Sequence, residues 1–119
     1  MAKGDDIQER LLEFAVRIIH LCNALPKTQP GQHIGGQLVR SGTAPAAHYA
    51  EARGAESTKD FIHKLKLCLK ELNESAIWLQ IIKRSNLLKP TQMTNIIQEC
   101  NELSRIINAS ITTTRRRNH

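Results

Sequence analysis

Apolar residues recur along this chain at helical spacing in four stretches, and in the first and last of them the steps alternate between four and three. In the first, Ile7, Leu11, Phe14, Ile18, Leu21 and Leu25 form a heptad seam, and Glu9, Arg10, Glu13 and Arg17 fall off it. The spacing predicts a helix from about Asp6 to Leu25, capped by Asp5 or Asp6. It ends at the Leu25-Pro26 step, because the residue before a proline is pushed out of the helical region, and Pro30 and Gly31 add further breaks. A second helix is expected over about Gly31 to Ala52, with Ile34, Leu38, Val39, Ala46, Tyr49 and Ala50 available to a core. Gly35, Gly36, Gly42 and Pro45 give it poor intrinsic propensity, so it must owe its helicity to packing. Pro45 removes one helical hydrogen bond and is expected to kink or split the helix near Ser41 and Gly42.

The third stretch runs from about Thr58 to Arg84, with Ser57 or Thr58 as cap and Asp60 in the first turn, where a carboxylate suits the helix dipole. Phe61, Ile62, Leu65, Cys68, Leu69, Leu72, Ala76 and Leu79 share one broad face. A turn around Asn86 to Thr91 leads into the fourth helix, expected from about Gln92 to Thr112 with Thr91 as cap. Met93, Ile96, Cys100, Leu103, Ile107 and Ile111 form its stripe. Four amphipathic helices with short connections imply an all-α, antiparallel up-and-down four-helix bundle over residues 1–112. Residues 113–119 carry Arg115, Arg116 and Arg117, have no apolar anchor, and are expected to form a flexible basic tail.

The side of the third helix away from the core is patterned too. Lys59, His63, Lys66 and Lys70 make a basic stripe, and toward the C-terminal end Leu67, Ile77, Trp78 and Ile81 make a second apolar patch. The patch is either a subunit interface or a surface covered by another helix of the same chain.

Composition sharpens this picture in two respects. Aromatics are 3% of a chain that is 40% apolar, so the core is built from Leu, Ile, Val and Ala, a diet that suits helices packed side by side. Seventeen Lys and Arg against eleven Asp and Glu give +6, which favours an acidic partner such as nucleic acid or simply keeps the chain soluble. No apolar run reaches the roughly 18 residues of a membrane span. The polar, acidic start is unlike a signal peptide, and a cytoplasmic protein is expected. Cys22, Cys68 and Cys100 lie far apart in apolar stripes and read as reduced core residues.

Candidate chemistry is sparse. His48-x-x-Glu51 and His63 suggest a metal, but the order is reversed from the Glu-x-x-His of di-iron bundles and no second pair appears, so no cofactor and no catalytic residue are expected. Arg40, Glu51, Glu71 and Glu74 fit a partly buried ion-pair network tying the second helix to the third.

Several of these pieces, in this order, resemble the four-helix bundle family of 23S ribosomal-RNA intervening-sequence proteins, relatives of the accessory protein of diversity-generating retroelements. They are Leu25-Pro26-Lys27, Gln37 to Thr43, Tyr49 to Ala52, Glu56-Ser57, Asp60 to Leu65, Leu69-Lys70-Glu71, Glu74 and Trp78-Leu79. The match runs from Leu11 to about Ile111 and departs from the family pattern at Ala44, usually Ser, and His48, usually Asn. The resemblance implies a bundle that assembles into a ring, commonly a homopentamer, with no known enzymatic activity. It also points to RNA or DNA, with a nucleic-acid-processing protein, as partners. The expected function is therefore a non-enzymatic, oligomeric, basic RNA/DNA-binding or nucleic-acid-processing accessory module. Its surface would be Lys59, His63, Lys66, Lys70 and Arg115 to Arg117, and its oligomer interface Leu67, Ile77, Trp78 and Ile81. The alternative is a protein-binding ring scaffold with no nucleic-acid role.

Overall fold

The computed structural model describes residues 3–118. Met1, Ala2 and His119, the last residue of the expected tail, lie outside them. Four helices follow one another: α1 (Lys3–Asn23), α2 (Gln29–Arg53), α3 (Thr58–Arg84) and α4 (Pro90–Arg117). Each packs on the next, and α1 meets α4 to close the square, whereas the diagonal pairs α1/α3 and α2/α4 do not touch through their backbones. This is the up-and-down bundle its short connections demand, and it measures 49 × 25 × 22 Å. The core threads its length through Leu11, Phe14, Ile18, Leu38, Leu65, Leu72, Leu79, Ile82, Met93, Leu103 and Ile107, all fully buried.

Local chemistry sets the ends. The Thr28 hydroxyl accepts from the Gly31 N–H at 3.2 Å, and Pro30 occupies the first turn, where its missing N–H removes no bond. Ser57 caps α3 by accepting from the Asp60 N–H at 3.0 Å. Asn86 adopts φ 57°, a left-handed conformation asparagine tolerates, so that the Leu87 N–H turns back to the Ile82 carbonyl at 3.2 Å and closes α3. α4 starts at Pro90, earlier than the expected Thr91 cap, and the Gln92 side chain accepts from the Lys89 N–H at 3.1 Å.

α2 runs unbroken through Pro45, which is itself buried. Its poor propensity is overridden by close packing. A Cβ on Gly42 would lie 2.8 Å from both γ-carbons of Ile18, so the glycine lets α1 come against the α2 backbone. On the other side Ser75 donates to Ser41 at 2.9 Å, with both residues fully buried, and the Cys68 thiol donates to the Pro45 carbonyl at 3.5 Å.

At the C-terminus α4 continues to Arg117, beyond the expected end at Thr112. Thr114 donates to the Ser110 carbonyl at 2.7 Å, and Arg115, Arg116 and Arg117 fill a last turn whose dipole favours cations. The arginines placed in a tail by sequence thus prolong a helix.

Candidate nucleic-acid interface and oligomer surface

Lys59, His63, Lys66 and Lys70 project from α3 on the side away from the core, and all four are exposed. None of them forms an ion pair among the described residues. The charges of the three lysines are therefore directed at solvent, in a row about 16 Å long at 1.5 Å rise per residue. Because the bundle alternates direction, the first turns of α3 and the last turns of α4 share one end. Phe61 of α3, Arg117 of α4 and Lys3 of α1 border the same groove of about 540 Å³ there. The start of the basic stripe and the three terminal arginines are thus brought to one end of the molecule.

The same outer face of α3 turns apolar further on. Ile77 is 61% exposed and Ile81 37%. Leu67 and Trp78, assigned by sequence to that patch, are half-buried, because they stand on the flank facing α2. Trp78 donates through Nε1 to Glu74 at 3.1 Å and meets His33 edge-on, with ring centroids 6.1 Å apart.

Arg40 reaches from α2 to two carboxylates on α3, at 3.1 Å from Glu71 and in direct contact with Glu74. Its side chain is half exposed, so this clamp is a surface bridge more than a buried network. Glu51 is not part of it. Eleven residues along α2 from Arg40, roughly 16 Å away at helical rise, it pairs instead with His48 at 3.2 Å and Lys64 at 3.7 Å. The closing pair of helices has its own brace, Arg10 to Glu99, at 2.7 and 3.2 Å. The Glu99 carboxylate raises the Arg10 pKa further.

All three cysteines are free and act as weak donors to carbonyls, Cys100 to Leu72 at 3.3 Å and Cys22 to Gly35 at 3.6 Å besides Cys68. Burial pushes the Cys68 and Cys100 thiols up to about 12 and Cys22 up to about 11. Among the described residues, no three His, Cys, Asp or Glu side chains come together as a metal site would need. No helix among them is long and apolar enough to cross a membrane.

One surface was not singled out from sequence. Leu12, Val16 and Ile19 lie 47%, 50% and 42% exposed along α1, and Val39 of α2 is 37% exposed. Their spacing of four and three was visible, but the heptad seam beside it accounted for the helix by itself.

Together these features define a four-helix bundle with a basic outer face and exposed apolar strips. The family model described as 23S rRNA-intervening sequence protein matches residues 5–109. The chain belongs to that family. A solved structure from Bacteroides thetaiotaomicron, described as a protein of unknown function from the S23 ribosomal protein family, is 34% identical. It superimposes with a TM-score of 0.86 over 93% of this chain and 99% of the other. A search of curated proteins gave no match.

Proposed function

We propose that this protein is a non-enzymatic, self-associating bundle that binds RNA or DNA through the basic face of α3 and the arginines ending α4. The observation that carries this reading is the row of Lys59, His63, Lys66 and Lys70, exposed together with no carboxylate partner among the described residues. Such a row neutralises phosphates in series and releases their counterions. Self-association multiplies the effect: a homopentamer of +6 chains would carry about +30 on one particle. With one Trp, one Tyr and two Phe in the chain, base stacking has little to draw on, so recognition follows charge and shape more than sequence. The family's name, which refers to an intervening sequence of 23S rRNA, fits a nucleic-acid setting.

The test is binding to structured RNA and to duplex DNA across a salt series, with light scattering on the same samples. Expected are dissociation constants on the order of micromolar or tighter at low salt, weakening steeply as salt rises. Replacing Lys59, Lys66, Lys70 and the terminal arginines by Ala should weaken binding to all sequences alike and reduce the salt slope by about one for each phosphate no longer neutralised. A well-formed oligomer that binds neither nucleic acid at low salt would overturn the reading and leave a protein-binding ring scaffold.

A further inference from the structure

Among the described residues, the large apolar side chains left exposed fall into two groups. Leu12, Val16 and Ile19 form a strip along α1, and Val39 of α2 extends it. Val39 lies between two α1/α2 contacts, Ile18 against Gly42 and Cys22 against Gly35, and so stands level with Ile19. The second group is Ile77 and Ile81, one turn apart on α3. α1 and α3 occupy diagonal corners of the bundle, so the two patches point to different sides and neither can cover the other within one chain.

Their borders differ in charge. Glu9 and Glu13 flank Leu12 and Val16, are exposed, and have no ion-pair partner among the described residues, while Arg17 and His20 stand at the strip's other end. Lys70 and Arg84 stand seven residues to either side of Ile77 on the same face of α3. Neither meets a carboxylate among the described residues, and Arg84 reaches only the Gln80 side chain, at 3.3 Å. Self-pairing of the α3 patch would gather four cations around one apolar centre. Pairing it with the α1/α2 strip sets one of its two cations against Glu9 and Glu13 and leaves the other at the end of Arg17 and His20, so one favourable charge contact replaces the cluster of four cations.

We propose that the occupant of the Ile77 and Ile81 patch is the Leu12, Val16, Ile19 and Val39 strip of a second copy of this chain. This deepens the self-association proposed above and rests on it. The contact is heterologous, head to tail, so each copy keeps one patch free for the next until the ring closes.

Two variants with opposite defects test it. Val16→Asp spoils the strip and keeps the α3 patch, whereas Ile77→Asp does the reverse. Both positions are exposed, so the fold is retained, and Val16→Ser and Ile77→Ser serve if either aspartate variant misfolds by circular dichroism. At a concentration where the wild type is fully assembled, each variant alone is expected to be monomeric by sedimentation. An equal mixture of the two is expected to stop at the mass of two chains, since only one contact can form. Assembly of Val16→Asp to the wild-type mass, or a mixture that stays monomeric, would overturn the head-to-tail pairing while leaving self-association intact. A monomeric wild type would overturn self-association itself, and this pairing with it.

Discussion

At the scale of single residues, Gly42 shows most directly how sequence and packing are joined. A methyl group there would lie 2.8 Å from the γ-carbons of Ile18. Alanine gains about 1 kcal/mol of helix propensity over glycine, but overpacking a tight contact loses about 1–3 kcal/mol. Gly42→Ala is therefore expected to lower stability to urea by about 1 kcal/mol, the difference of those two effects. In an Ile18→Ala background the obstructing carbons are gone, and the same substitution should turn neutral or stabilising; equal losses in both backgrounds would refute the contact. The cysteines give a second expectation. Their folded pKa values lie above the ordinary 9.0, with Cys68 and Cys100 at about 12, so the folded state holds these protons more tightly. Their contribution is fully present below about pH 9 and is lost as pH rises toward 12. Urea midpoints should fall over that range, and less steeply in a Cys68→Ala, Cys100→Ala variant compared with its own value at pH 7. A variant whose alkaline slope equals that of the parent would remove the thiols as the cause.

At the scale of elements, the question is what holds α2 against α3. Two links cross that boundary near each other, the exposed Arg40 clamp and the buried Ser41–Ser75 pair, and burial decides between them. Arg40→Met removes a half-exposed bridge and should cost no more than about 1 kcal/mol. Ser75→Ala leaves the fully buried Ser41 hydroxyl without its partner and should cost about 1–3 kcal/mol. Removing both hydroxyls should cost less than the sum of the single changes, and additive losses in a double-mutant cycle would show that the pair is not coupled. The elements themselves were legible wherever burial imposes a 3.6-residue period. α3 spans Thr58–Arg84, as its apolar face and Ser57 cap predict, because every turn of it contributes to the core. The end of α4 was not legible: past Ile111 the chain reads Thr-Thr-Thr-Arg-Arg-Arg, with no apolar period to follow, and side-chain bonds such as Thr114 to Ser110 extend the helix instead. The ion-pair reading failed at Glu51 for a related reason. Residue types suggested a cluster, but distance along the helix axis, absent from a list of charges, sends Glu51 to Lys64. The basic stripe was legible because a helix repeats its surface as regularly as its core.

At the scale of the whole molecule, one surface helix carries two unlike demands, since the first half of α3 offers cations to solvent and the second half offers Ile77 and Ile81. Neither arrangement favours the isolated chain. Lys66 and Lys70 stand one turn apart and neither forms an ion pair among the described residues, and like charges at that spacing destabilise a helix by about 0.2–0.5 kcal/mol. Replacing both by Ala should therefore leave unfolding unchanged or shift it slightly upward, most visibly at low salt, where the repulsion is least screened. The apolar half behaves differently. If assembly covers it, melting temperature rises with protein concentration, because association stabilises the folded state by mass action. Ile77→Asp should flatten that dependence, whereas Lys66→Ala with Lys70→Ala should reduce nucleic-acid binding with folding intact. Melting curves over a hundredfold range of concentration separate the two demands. A melting temperature independent of concentration in the parent protein would mean that Ile77 and Ile81 stay in water at these concentrations. A marked drop in the lysine double variant would mean that the stripe supports the fold and is not free for phosphate.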